Sequence, residues 1–143
     1  MRVAIIGGTG MGNWAGESTV EVATPFGPVL LNRASWDFGE LFLLSRHGKG
    51  HKVPPHKINY RANIWALKEL GVEATLATFA VGSLRESIPV GTLLVPDNFL
   101  DFTTSRPKTF FEDEVVHTDM THPYSPRLRE ALLRAGEALD LEL

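Results

Sequence analysis

Three short loop sequences hold residue types that could bind an anion together. Residues 8–10 read Gly-Thr-Gly, which lets backbone N–H groups approach an anion closely and adds a hydroxyl donor. Residues 45–48 read Ser-Arg-His-Gly, where the planar guanidinium of Arg46 matches two phosphate oxygens and His47 can donate to a third. Residues 80–83 read Ala-Val-Gly-Ser. Together these types predict a site for inorganic or esterified phosphate.

The charge pattern around the second loop also favours an anion. The 143-residue chain has a net charge of −3, yet no Asp or Glu lies between Leu41 and Lys68, a stretch with six Lys or Arg and three His. An acid-free cationic block in an acidic chain indicates local anion binding. A solvated basic face is the alternative that the pattern leaves open.

The elements around these loops must bring them to one place. Apolar and β-branched runs predict strands at residues 3–6, 20–24, 29–31, 40–45, 75–81 and 93–96, and leave 115–117 open as a strand. Helical spacing predicts one helix from about Ile58 to a stop at Gly71 and another from Pro126 to about Asp140. This mixture indicates an α/β fold with a largely buried sheet, in which ligands bind outside the strand ends.

Composition excludes several classes of protein. With no cysteine, the chain has no disulfide framework, no thiolate metal site and no cysteine nucleophile, and a reducing cytoplasm is the expected location. The first apolar run is too short for a signal peptide or a membrane span. The mild acidity argues against nucleic acid as the main partner.

Other kinds of site fit the residues less well. Residues 10–15 match the dinucleotide pattern G-x-G-x-x-A, but a hairpin follows where that site needs a helix and a later acid. Metal binding by His47, His51 and His56 lacks both a helix to give the spacing meaning and a nearby acid. The G-x-S-x-G elbow that a Ser–His–acid triad needs is absent. We assign no side-chain nucleophile, no acid–base catalyst and no metal.

Several longer motifs point to one family. They are IGGTG at 6–10, TPFG at 24–27, SRHGKGH at 45–51, PPHKINYRANIWALKELGV at 54–72, AVGSL at 80–84, PDNFLDFTTSRPKTFF at 96–111 and VVHTDMTHPYSPRLR at 115–129. The chain resembles the S-methyl-5′-thioadenosine phosphorylase branch of the trimeric purine nucleoside phosphorylases, in order and over nearly its whole length.

The resemblance implies a nucleoside phosphorylase-like α/β/α fold with a mixed, buried sheet. It implies phosphorolysis of 5′-deoxy-5′-methylthioadenosine, or a related purine nucleoside, to the free base and (methylthio)ribose 1-phosphate, in purine and methionine salvage. Such an enzyme is a pentosyltransferase, one class of glycosyltransferase. It would use inorganic phosphate as co-substrate, need no cofactor and act as a cytoplasmic homotrimer, with no membrane or nucleic-acid partner.

The resemblance also assigns residues. Thr9, Arg46, His47 and the backbone N–H of Ala80 would bind phosphate, and His117 would line the 5′ pocket of a neighbouring subunit. Phe79 stands where relatives of the human type carry a hydroxyl-bearing phosphate contact.

We expect residues 1–143 to form a single nucleoside phosphorylase-like domain that lacks the C-terminal part of the family pattern. That missing part would hold the residues that select the base and the 5′ substituent. A truncated, catalytically inactive module that binds phosphate or a nucleotide is therefore the alternative function.

Overall fold

The computed structural model describes residues 1–8, 11 and 16–143. In chain order the elements are β1 (Arg2–Gly7), β2 (Ser18–Val22), β3 (Val29–Trp36), β4 (Gly39–Ser45), a short 3-10 helix (Pro55–Lys57), α1 (Tyr60–Glu69), β5 (Ala74–Ala77) and α2 (Pro126–Ala138). The chain divides into two compact units. Unit 1 comprises Met1–Ala80 and Ser105–Phe110, and unit 2 comprises Val81–Thr104 and Phe111–Leu143.

Unit 1 is built on one mixed sheet with the strand order β2-β3-β4-β1-β5. β1 lies between β4 and β5 and is parallel to both, while β2, β3 and β4 form an antiparallel series. The hairpin predicted around residues 25–28 is confirmed as the β2–β3 connection. The mixed sheet that we expected is therefore present, with its parallel part around β1.

The core of unit 1 lies between this sheet and α1. Side chains alternate along each strand, so that Leu31 on β3 is 1% exposed while its neighbour Leu30 is 55% exposed. Leu31 packs in one cluster with Phe42 of β4 and with Ala66 of α1. The small alanines of α1 allow the helix to approach the strands closely.

Local signals set the ends of α1. The side chain of Asn59 accepts a hydrogen bond from the N–H of Ala62 at 3.1 Å, which caps the first turn. Gly71 adopts a φ of +65°, and its N–H donates to the Lys68 carbonyl at 2.9 Å. Glycine adopts this left-handed conformation without strain, so the predicted stop at Gly71 is confirmed.

A cluster of charged side chains joins three strands at the other end of the sheet. Glu40 of β4 accepts a hydrogen bond from Nε of Arg2 at 2.7 Å and pairs with Arg33 of β3. The hydrogen bond from Arg2, with a further contribution from Arg33, lowers the pKa of Glu40 below its ordinary value of 4.5.

Two sequence predictions about strands need correction, and a third segment was left open. The strand predicted at 75–81 ends at Ala77, and residues 93–96, which the structure describes, form no strand. In unit 2 the carbonyl oxygens of Val95 and Pro96 instead accept hydrogen bonds from the Arg129 guanidinium, at 3.4 and 2.9 Å. Residues 115–117, left open as a strand, are also irregular. A strand needs a neighbour to pair with, which an apolar run alone does not supply.

The predicted C-terminal helix is confirmed in unit 2. The hydroxyl of Ser125 caps α2 by accepting from the N–H of Leu128 at 3.4 Å, and Pro126 occupies the start of the helix. Leu132 and Leu139 of this segment are 36% and 69% exposed. Within the described ranges, no helix has the length and apolar character needed to cross a bilayer.

We expect Leu31→Ala to lower the free energy of unfolding by about 2–5 kcal/mol, because it leaves a cavity among well-packed side chains. Leu30→Ala is the matched control. It removes the same atoms from the exposed side of the same strand and should cost about 0.5 kcal/mol or less. Urea denaturation followed by circular dichroism measures both, and equal losses would contradict this assignment of the core.

Candidate functional site

The carboxyl ends of three neighbouring strands lie at one edge of the unit 1 sheet. β1 is parallel to β4 and β5, and hydrogen bonding continues beyond the strands. The N–H of Arg46 donates to the Gly7 carbonyl at 3.2 Å, and the N–H of Thr78 donates to the Ile6 carbonyl at 3.0 Å. The carboxyl ends of β1, β4 and β5 therefore lie side by side, with Arg46 and Thr78 next to β1, and the meeting of the three predicted loops stays a prediction.

The side chain of Arg46 is fixed where these segments meet. Its Nη1 donates to the Thr78 carbonyl at 2.6 Å. The guanidinium also lies against the backbone of Gly8, because a Cβ added there would come within 2.7 Å of the guanidinium carbon. Arginine has five N–H donors, so this group can bind a carbonyl and still present two donors to an anion.

Thr78 is a site residue that our sequence analysis missed. Its carbonyl orients Arg46, and its hydroxyl oxygen accepts from the N–H of Gly8 at 3.5 Å, a long hydrogen bond. The sequence analysis placed Thr78 inside a strand because the predicted strand extended to residue 81, whereas β5 ends at Ala77. A correct end for β5 would have placed Thr78 among the loop residues that face ligands.

His47 is held in one orientation beside Arg46. Its side chain is buried, and Nδ1 lies 2.9 Å from the Val53 carbonyl, which can only accept a hydrogen bond. Nδ1 therefore carries a proton and donates a hydrogen bond to this carbonyl, which fixes the orientation of the ring.

The 46–53 loop around His47 is tightly closed. The N–H of Val53 donates back to the His47 carbonyl at 2.8 Å, and the ring of His51 lies 4.2 Å from the ring of His47, between centroids. His51 has a φ of +57°, a left-handed conformation that a non-glycine residue adopts only when its surroundings impose it. The loop thus fixes the His47 ring, and the exposed ring of His51 lies beside it.

Comparison with known families identifies the chain. Residues 2–143 match the family described as the phosphorylase superfamily. The chain belongs to this superfamily. Its nucleoside phosphorylase-like α/β fold, expected from the motifs, is confirmed by the likeness to a solved structure described next.

Relatives of this phosphorylase superfamily member are named as nucleoside phosphorylases. The chain is 47% identical to the 6-oxopurine nucleoside phosphorylase of Pyrococcus furiosus, over 98% of this chain and 57% of that protein. It is 43% identical to the S-methyl-5′-thioadenosine phosphorylase of Hyperthermus butylicus, over 96% and 52%. A mutant adenosine/methylthioadenosine phosphorylase from Schistosoma mansoni, solved with methylthioadenosine, superposes with a TM-score of 0.91 at 38% identity, over 97% and 53%. The chain thus spans just over half the length of these relatives.

The other predicted site residues of this superfamily member lie in different parts of the structure or outside its described residues. Thr9 lies outside the described residues. Ala80 is exposed shortly after the end of β5, and Phe79 before it is half-exposed. His117 belongs to unit 2 and is exposed there. The structure brings Gly8, Arg46 and Thr78 together, and the roles of Thr9, Arg46, His47, Ala80 and His117 stay predictions.

The geometry gives little support to the alternative metal and dinucleotide sites. His47 and His51 lie ring to ring, but the described part of the chain contains no group of three or more His, Asp or Glu arranged to hold a metal ion. Most of the G-x-G-x-x-A pattern at 10–15 lies outside the described residues. The next element described after β1 is the strand β2.

We expect Gly8→Ala to displace the Arg46 guanidinium and weaken phosphate binding by about tenfold or more, because a charged hydrogen bond contributes roughly 1.5–3 kcal/mol. Thr19→Ala is the control, since Thr19 is exposed on the edge strand β2, which β3 separates from β4. Isothermal titration with inorganic phosphate measures both variants. Unchanged affinity in Gly8→Ala would show that the guanidinium does not bind phosphate from this position.

Proposed function

We propose that the protein containing this chain is a nucleoside phosphorylase that cleaves 5′-deoxy-5′-methylthioadenosine or a related purine nucleoside with inorganic phosphate. The products are the free base and (methylthio)ribose 1-phosphate. One observation carries the proposal: Arg46 is fixed against Gly8 by the Thr78 carbonyl, where β1, β4 and β5 end. Membership of the phosphorylase superfamily supports the same chemistry.

The proposed reaction needs no covalent bond between a side chain and the substrate. A phosphate oxygen bonds to the anomeric carbon while the carbon–nitrogen bond breaks, and the bonding electrons leave with the purine, which takes up a proton. The sugar passes through an oxocarbenium-like transition state, as in glycoside hydrolysis. Phosphate is both the nucleophile and the neighbouring negative charge, so the main task of the protein is to position it.

Arg46 and His47 perform that task in the proposal. The guanidinium of Arg46 is already oriented by Thr78, so little side-chain freedom is lost when phosphate binds. The imidazole of His47 is oriented by Val53 in the same way. We propose that Thr9 and the N–H of Ala80 complete the phosphate site, with Phe79 contributing a ring where a hydroxyl was expected.

The names of the relatives point to two kinds of purine base in the substrate. One relative is named for 6-oxopurine nucleosides and another for S-methyl-5′-thioadenosine, at similar identities of 47% and 43%. These names favour a purine nucleoside in general. We therefore propose the reaction class and let the assay choose the base and the 5′ substituent.

The proposed assembly is a cytoplasmic homotrimer without a cofactor, in which His117 of one subunit lines the 5′ pocket of its neighbour. The exposure of His117 is compatible with this role, since a side chain given to another subunit must be accessible in a single chain. We propose that residues 1–143 are the N-terminal part of one nucleoside phosphorylase domain. The coverage of just over half of each relative supports this.

The direct test is release of free base, followed by chromatography, from methylthioadenosine, methylthioinosine and inosine. We expect release from at least one of them, and only when phosphate is present. Arg46→Ala should raise the phosphate concentration for half-maximal rate by roughly 10- to 100-fold, since it removes charged hydrogen bonds of about 1.5–3 kcal/mol. Lys52→Ala removes one charge from the same cationic block and should leave that concentration nearly unchanged.

The assay uses the 143-residue chain and, where the reading frame continues, the longer protein. No release by either protein would refute the proposed reaction. No release together with phosphate binding that depends on Arg46 would instead favour the alternative of a module that binds phosphate without turnover.

A further inference from the structure

A cationic cavity lies in unit 1 apart from the residues of the phosphate site. It has a volume of about 310 Å³. One wall is formed by residues 56–61, which end the 3-10 helix and begin α1, and the other by residues 105–107. Gly8, Arg46, His47 and Thr78 do not line it. We name this space the basic cavity.

Aromatic contacts hold the second wall in place. The guanidinium of Arg106 lies over the ring of Tyr60, 4.7 Å from its centroid. Four residues further on, Phe110 packs edge-on against Phe26 at 5.9 Å and tilted against Trp65 at 6.4 Å. These contacts connect the 105–110 segment to α1 and to the β2–β3 hairpin, so the cavity has two anchored walls.

The lining of the basic cavity carries charge of one sign. His56, Lys57, Arg61 and Arg106 line it, and no Asp or Glu is among the described residues that do so. Arg61 and Arg106 are half-buried, while Lys57 is exposed at the rim. Collecting like charges around a concave space raises the positive potential there and lowers the free energy of a bound anion.

The acid-free block in the sequence is thereby divided between two places. Arg46 and His47 lie at the strand ends, whereas His56, Lys57 and Arg61 come together with Arg106 from a distant part of the chain. The proposed phosphorolysis accounts for the first group only. Within the second group, the Arg61 guanidinium is already engaged, since it lies over the Phe26 ring at 4.6 Å from the centroid. A separate anion would therefore be bound by Lys57 and Arg106.

We propose that the basic cavity binds the phosphoryl group of a small phosphorylated metabolite. Arg106 offers a planar fork that matches two phosphoryl oxygens, and Lys57 offers a mobile ammonium at the rim. The cavity volume is at the lower end of the range for small-molecule sites and exceeds the need of one phosphate ion. A sugar phosphate or a diphosphate matches this size and charge.

The test measures binding of inorganic pyrophosphate by isothermal titration to the 143-residue chain with Arg46→Gln, which disables the first site. In that background, Arg106→Gln and Lys57→Gln should each weaken binding by about tenfold, because each removes a charged contact. Lys52→Gln is the matched control: it removes one charge from the same block but from outside the cavity, and should change affinity by less than about twofold.

Two results would overturn the proposal. If neither Arg106→Gln nor Lys57→Gln changed the affinity for pyrophosphate, the cavity would not be its binding site. An equal loss of affinity in Lys52→Gln would show a general effect of net charge. Ribose 5-phosphate is expected to compete with pyrophosphate, and failure to compete would also contradict the proposal.

A second measurement covers the case in which a cavity variant does not fold. In the Arg46→Gln chain, pyrophosphate should shift the backbone amide NMR signals of residues 56–61 and of Ser105 and Arg106. Shifts confined to other residues would place the anion elsewhere and overturn the assignment.

Discussion

The packing of the Arg46 guanidinium against Gly8 is the contact on which the proposed site depends. The positive group stays in place because the Thr78 carbonyl accepts one of its hydrogens and because residue 8 has no side chain to push it away. Those two conditions in turn require that β1, β4 and β5 be neighbours with the same direction. The sheet order is therefore also what assembles a donor group for an anion, and the core between Leu31, Phe42 and Ala66 maintains that order.

The sequence predicts the parts of this arrangement that depend on local patterns. Continuous apolar and β-branched runs are enough to find β1, β3 and β4, and Gly71 is enough to end α1, because each signal acts over a few residues. Arg46 and His47 follow from residue type at a strand end. The family was evident from long motifs such as the one at 54–72, which local patterns would not reveal.

What the sequence could not predict depends on contacts between distant residues. Leu93 and Leu94 are suited to a strand, but no described strand pairs with them, and the carbonyls that follow accept from Arg129 instead. Thr78 is a β-branched residue that suits a strand, and it becomes a candidate site residue only because β5 ends before it. The basic cavity needs residues 57 and 106 together, and 49 positions separate them in the sequence.

The central claim is that phosphate binds to the guanidinium of Arg46, and nitrogen-15 NMR of the arginine Nε–H signals tests it most directly. During titration of the 143-residue chain with inorganic phosphate, the account predicts a saturable shift of the Arg46 signal, larger than that of Arg33 or Arg134, which pair with Glu40 and Glu130. Phosphate that binds while the Arg46 signal stays unchanged would contradict the account.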